Sequence, residues 1–318
     1  MAAVTAVSLA ACSSGAGPQP APESTVAATV SPEAVPAAFD NTKGWMVEGS
    51  ESTEFDYPAF APQAGLILLL ANKSDSAQVE ARDAKTGATR WTGSPVPETD
   101  ARLFVTNENG KEYAVVVGKT HAYVYDVASA GGSVAAQRDF ASPEANDVAA
   151  QRDGRVLVDY AGGTAVLDAA SGQVARYEQK VVAASANGPV VQGHGAFSVP
   201  GGWSSADAVP AGATTGDVKA IGSPDGSSLV AEWPSPAGEI WAVHDMRSGQ
   251  VLASVPCRGE DSATPAVSVD GRYLIAGPVA FDLQAKKGFC FGDKGTDLTA
   301  VDPDGTVYGA NDTEPGAP

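Results

Sequence analysis

Histidine, methionine and cysteine are scarce in this 318-residue chain, three of each, and basic residues number 20 against 38 acidic ones. Each shortage excludes something. With only His121, His194 and His244, little imidazole is available for acid–base or metal chemistry, and His244 lies beside Asp245 in a strand-like run where packing explains it. A single histidine in a loop is read first as a surface residue. There is no Gly-x-Ser-x-Gly elbow, no His-Glu-x-x-His and no Walker loop. A net charge of −18 repels nucleic acid and leaves no basic stripe for phosphates, so no nucleic-acid partner is expected. No amphipathic helical stretch of ten residues occurs in the body. Beyond the N-terminal run no apolar segment is long enough to span a bilayer, and residues 66–71 have the length of a buried strand.

What is abundant is glycine in tight turns. Gly65, Gly110, Gly154, Gly188, Gly226, Gly271 and Gly305 are separated by 45, 44, 34, 38, 45 and 34 residues. Asn109, Asp153, Asn187, Asp225, Asp270 and Asp304 precede six of them. A second ladder, Asp-x-x-x-Gly, runs out of phase through Asp40/Gly44, Asp83/Gly87, Asp168/Gly172 and Asp245/Gly249, with looser copies at Asp126/Gly131 and Asp282/Gly288. The missing copy falls at residues 196–203, where Val199-Pro200-Gly201-Gly202 replaces the Asp turn. An aspartate carboxylate can accept from backbone N–H groups just ahead of it, and glycine takes the left-handed conformation that ends such a turn. Short Val-, Ile-, Tyr- and Trp-rich runs fill the intervals. Two punctuated hairpins per period near 40 residues predict an all-β, seven-bladed β-propeller of four-stranded antiparallel blades.

The chain ends refine that expectation. After Gly305 only residues 306–310 read as strand, so the seventh blade lacks its second hairpin. Ala38-Phe39-Asp40, Gly44 and Trp45 form an orphan copy of that missing half. The N-terminal segment is therefore expected to complete the last blade and close the ring, removing an open edge. An accidental Asp-x-x-x-Gly is the alternative.

Asp83-Ala84-Lys85-Thr86-Gly87 through Trp91, and Asp168-Ala169-Ala170-Ser171-Gly172, resemble the PQQ-like (quinoprotein-type) propeller repeat over roughly residues 37–310. Trp45 and Trp203 follow their glycines directly, and Tyr177 stands near the Trp place of another copy. The resemblance implies the fold; the cofactor and calcium ligands of that family's dehydrogenases have no counterpart here, so no cofactor or metal is expected. Trp45, Trp91 and Trp203 are expected as wedges between blades. Asp302-Pro303-Asp304-Gly305 resembles the start of a calcium loop without its later ligands, and is expected as a hairpin turn.

Leu9-Ala10-Ala11-Cys12 resembles a bacterial lipobox, although no Lys or Arg precedes the short apolar run. The expected plan is a lipoprotein signal over residues 1–12 with lipid on Cys12, a flexible Ala/Pro/Ser/Gly tether over 13–36, and the propeller over 37–318. That plan implies export and attachment to the outer face of the cytoplasmic membrane. Cys257 and Cys290 then remain, to form a disulfide or to stand as two buried thiols.

Partner contacts are expected on the face formed by second-to-third-strand turns and blade-to-blade connections. That face collects His121, Asp159-Tyr160, residues 192–195 with His194, the 232–239 stretch with Glu232 and Trp233, residues 204–216, and residues 258–262 with Asp261. Trp233, flanked by prolines, is either an exposed contact or a cover over an inter-blade gap. The favoured role is a non-catalytic, monomeric binding or scaffold module for a protein or an envelope polymer. The alternative is an extracytoplasmic quinoprotein-like dehydrogenase or propeller hydrolase with a central-channel site.

Overall fold

The computed structural model describes residues 54–55, 58–99, 101–108, 110–119, 121–128, 134–139, 145–150, 155–185, 188–199, 202–259, 264–292 and 295–311. Cys12, the 13–36 tether, Phe39, Asp40, Gly44, Trp45 and Asp261 lie outside them, as do Asn109, Gly131, Asp153, Gly154 and Asn187. Among the described residues the chain is all-β, with seven antiparallel sheets in sequence order and a short 3-10 turn at Ser205–Asp207.

The first sheet runs Leu66–Asn72, Ala77–Asp83 and Thr89–Thr92, with Glu54–Phe55 and Ala59–Ala61 sharing the outer side of Leu66–Asn72. The second is Arg102–Glu108, Lys111–Val117, His121–Asp126 and Val134–Asp139. The third is Ala145–Ala150, Val156–Tyr160, Gly163–Asp168 and Gln173–Tyr177. The fourth has three strands, Lys180–Ser185, Gly188–Gln192 and Phe197–Ser198. Lys219–Gly222, Ser228–Ser235, Gly238–Asp245 and Val251–Pro256 make the fifth. Ala266–Val267, Tyr273–Ala276, Val279–Asp282 and Lys287–Cys290 make the sixth, and Thr296–Val301 with Val307–Asn311 the seventh.

Several described members of both ladders fall where their chemistry requires. Gly226 and Gly271 turn the first hairpins of the fifth and sixth sheets at φ 71° and 74°. In the second hairpins the aspartate closes its own turn. Asp245 Oδ1 accepts from Ser248 N (2.7 Å) and Ser248 Oγ (2.6 Å), and Gly249 N donates to Asp245 O. Asp168 repeats this with Ser171, and Asp83 with Thr86 and Lys85. Arg90, hydrogen-bonded to Asp83 Oδ2, is the main reason that carboxyl is lowered to about 2. The looser copy at Asp282 keeps its cap to Ala285 N but puts Lys286 in the left-handed position, at φ 54°. In the degenerate fourth copy the chain turns by Val199 N to Trp203 O, and the sheet stops at three strands.

The described chain divides into two compact units, residues up to 103 with 127–134, and 104–126 with 135 onward. In the first unit, Leu68, Leu70, Val79, Ala81 and Trp91 form the buried middle of the first sheet. In the second unit, successive sheets share apolar clusters. Val115, Val117 and Val124 of the second sheet meet Val156, Val158 and Leu167 of the third, whose opposite face (Leu157, Val166) meets Val181 and Val191 of the fourth. The fifth sheet likewise packs Ala231 and Ala242 on the fourth sheet's Val190 and Phe197, and Val230 and Val243 on Leu274 and Phe281 of the sixth. Ile275 and Ala280 of the sixth sheet meet Leu298 of the seventh.

Cys257 and Cys290 are bonded, with Cα atoms 5.3 Å apart, and join the outermost strands of the fifth and sixth sheets. The bridge closes a separation of 33 residues, which in the chain-entropy view stabilises by about 3–4 kcal/mol. Replacing both cysteines by serine is expected to lower the urea-unfolding free energy by that order, and an unchanged midpoint contradicts it.

Candidate functional site

The candidate surface is built at one end of the fourth and fifth sheets. Gly188–Gln192 ends in a tight turn carrying His194, which is exposed. Gln192 fastens that turn to the next sheet: its Nε2 donates to Ala196 O (3.0 Å) and Val218 O (3.0 Å), and its Oε1 accepts from Ala220 N (2.9 Å). Val218 N donates to Gly195 O. A Cβ at Gly195 would lie 2.9 Å from Asp217 N, so only glycine lets the two backbones approach. Asp217 itself is exposed and left-handed, at φ 51°, a strained state for a non-glycine residue. Beside it, exposed Lys219 stands in register with half-buried Glu232.

Residues 204–216 form an ordered cap over the fifth sheet. Ser204 N and Oγ donate to Asp207 Oδ2 at 3.0 and 2.7 Å, which fixes the short 3-10 turn and holds the Asp207 carboxyl below its usual range. Ser205, Ala208 and Pro210 point inward, and Ala206, Val209 and Ala211 outward. The far end is tied by Thr214, whose N and Oγ1 both donate to Pro234 O, at 2.8 and 3.1 Å.

Of the two readings of Trp233, the exposed contact is the one that needs correction. Residues 232–239 are not a loop but the tip of a hairpin, with Trp233 opposite Ile240, Pro234 opposite Glu239, and the reversal at residues 236–237. Strand alternation turns the indole onto the face of Leu229 and Ala231, and Trp233 is fully buried. It offers nothing to a partner. Its Nε1–H donates to His244 Nε2 (3.3 Å). Since indole nitrogen only donates, Nε2 must be the acceptor, and the imidazole proton sits on Nδ1, 3.1 Å from Gly249 O. Trp203 stacks on the same imidazole, centroids 5.4 Å apart, and its Nε1–H donates to Met246 O. Burial, against a smaller effect of the Gly249 carbonyl, pulls His244 below 6.5. His244 is thus the core residue its strand position suggested, and Trp203 packs between the fourth and fifth sheets.

The structure joins His194 and Glu232 through the Gln192 bridge and the Lys219 register, with residues 204–216 alongside. His121 opens a strand of the second sheet near Tyr123, and Tyr160, half-buried, ends a strand of the third; neither joins this cluster. Sequence reasoning places residues 192–195 and 204–216 on this face, but not the bridging role of Gln192, the Ser204 cap or any part of Asp217. The Gly216-Asp217 pair is the one signal that marked them, as a glycine–Asx turn.

A second perturbed carboxylate lies elsewhere. Buried Glu108 accepts from Ala169 N (2.9 Å) and Ala170 N (2.8 Å) of the third sheet, and Arg155 bridges it to Asp168 at 3.0 and 2.8 Å. Burial raises the Glu108 carboxyl, opposed by those N–H groups and reinforced by the neighbouring Asp168. Every oxygen is engaged, so this group clamps the second sheet to the third rather than meeting a substrate. Among the described residues no group of three or more His, Cys, Asp or Glu converges as a metal site.

No protein-family model matches the chain, and no curated protein matches it. Solved structures do. BamB from Moraxella catarrhalis is 16% identical over 80% of this chain and 76% of that one, at a TM-score of 0.36. Kluyveromyces lactis Hsv2 is 11% identical, covering 73% and 75%, at 0.42. The C-terminal WD40 domain of Sif2 is 11% identical, covering 78% and 75%, at 0.48. Identity and TM-score are low throughout, and the fold rests on the strand pairing above rather than on these likenesses.

Two substitutions separate core from surface. Trp233→Ala is expected to cost about 3–5 kcal/mol of stability, measured by urea unfolding; a loss under about 1 kcal/mol contradicts its buried role. Glu108→Ala strands two N–H donors and Arg155, and is expected to cost upwards of about 2 kcal/mol. Wild-type stability in that variant would show the clamp to be idle.

Proposed function

We propose that this chain is a seven-bladed β-propeller acting as a non-catalytic binding or scaffold module, exported and held at the outer face of the cytoplasmic membrane by lipid on Cys12. The observation that carries the binding role is the surface around residues 204–216. It combines an ordered cap, a strained Asp217 and exposed His194, Lys219 and Val209 on a backbone that neighbouring sheets hold rigid. Rigid strands presenting irregular connections are the usual way to build a recognition face. The non-catalytic reading is supported by how the titratable core groups are used: His244 and Glu108 are both saturated by internal partners. The ligand class is a protein or an envelope polymer.

The propeller reading is supported by the seven sheets, the two glycine ladders and the shared clusters of successive sheets in the second unit. In it, the orphan half-repeat at residues 38–45 adds the outer strands to the two-stranded seventh sheet.

Two experiments test these readings. The untethered body, immobilised, should capture an envelope component from membranes, and His194→Ala with Val209→Arg should lower that capture about tenfold or more while melting at the wild-type temperature. Equal capture by both proteins removes the surface from the account. Deleting residues 37–47 should speed amide exchange along Val307–Asn311 and lower Tm, by about 2–4 °C per kcal/mol lost. Unchanged exchange there rejects the N-terminal closure.

A further inference from the structure

The cap over the fifth sheet is fixed at two points, and both lead to one imidazole. At its start Trp203 stacks on His244 and donates to Met246 O. Near its end Thr214 donates twice to Pro234 O, directly after Trp233, whose indole N–H donates to His244 Nε2. Phe197 closes the same box edge-on to both indoles. The fit leaves no slack, since a Cβ at Gly249 would lie 2.5 Å from the Trp203 ring.

This arrangement accepts only neutral imidazole. An imidazolium donates from both nitrogens, and Nε2–H would then point at Trp233 N–H, which cannot accept. Among the described residues no carboxylate compensates. The charged residues on the surrounding elements act elsewhere: Glu232, Glu239 and Asp245 alternate onto the opposite face of the fifth sheet, and Asp245 is held by Ser248. Asp207 is held by Ser204, and Arg247 is exposed. On the adjoining segments His194, Asp217 and Lys219 are exposed. Burial and the Gly249 carbonyl are the influences on His244 itself.

We infer that His244 is an acid-sensitive latch, and that protonating it releases residues 203–216 and dismantles the exposed surface they carry. A buried charge with no partner costs more than opening the box, and opening hydrates the ring. The sign follows from linkage. The opened form has an ordinary imidazole and the closed form a lowered one, so the open form takes up the proton first. Closure is complete above about 6.5 and is lost progressively as pH falls below it. A module of this kind would hold its partner at neutral pH and release it on acidification. That consequence rests on the binding role proposed above, but the latch does not.

The test therefore reads opening and not capture. Amide exchange of the full chain, corrected for intrinsic rate, is compared at pH 7.5 and pH 5 for wild type and His244→Gln. The latch predicts that Thr214, Gly249 and their neighbours exchange about tenfold faster or more at pH 5 in the wild type, with no such pH dependence in H244Q. The same acceleration in both proteins, or none in the wild type, overturns it. Should H244Q fail to fold, nitrogen NMR of labelled histidine in the wild type decides. The latch requires the Nδ1–H tautomer at neutral pH and loss of the Thr214 protection together with its titration; an imidazole that titrates near its ordinary value while Thr214 stays protected rules it out.

Discussion

Every middle strand of the second unit is apolar on both faces, and that constraint governs the rest. A half-buried antiparallel sheet alternates apolar with polar and is content with one neighbour. Lys111–Val117, Val156–Tyr160, Ser228–Ser235 and Gly238–Asp245 do not alternate in this way, so each sheet needs a covering sheet on either side. The second to seventh sheets satisfy one another in sequence order through shared clusters. At the end of the series the seventh sheet covers the sixth with Leu298 but leaves Thr299, Ala300 and Tyr308 exposed. A stack of two-faced layers has no comfortable end, and the ring proposed above is an arrangement that would remove both ends at once.

Polar groups then fasten the layers in register, and they do so at the Asp turns. The residue after two of the turn aspartates is met by a group from the preceding layer: Ala169 N by Glu108, Met246 O by Trp203. The turn chemistry that ends a hairpin thus also presents a backbone group to the neighbouring layer. Where the fourth sheet loses its Asp turn, the chain is freed to make the 204–216 cap, and Trp203, displaced from an ordinary fourth strand, becomes both wedge and anchor. Function is proposed where the fourth repeat is broken because there, among the described residues, the backbone leaves the ladder and returns ordered.

Sequence reasoning reached the local chemistry more readily than the contacts. The Asx-Gly and Asp-x-x-x-Gly ladders are self-contained within four or five residues, so they located the hairpins directly, and the sheet boundaries followed. Cys257 and Cys290 pair because they end the outer strands of consecutive sheets, which the spacing alone left open between a bond and two thiols. The sequence leaves Trp233 open between contact and cover because Pro234 and Pro236 signal a loop; the strand continues since its partner runs alongside to Glu239 and the Pro234 carbonyl is used by Thr214. Glu108 was illegible. Its partners lie 61 and 62 residues downstream, and no local pattern distinguishes a carboxylate that clamps a neighbouring layer from one that faces water.

The central proposal is that two-faced sheets close into a seven-membered ring. A crystal structure of residues 37–318 tests it most directly. The ring proposed above predicts seven sheets about one axis and the segment around Phe39 paired beyond Val307–Asn311. A seventh sheet facing solvent, or any other number of layers about the axis, contradicts it.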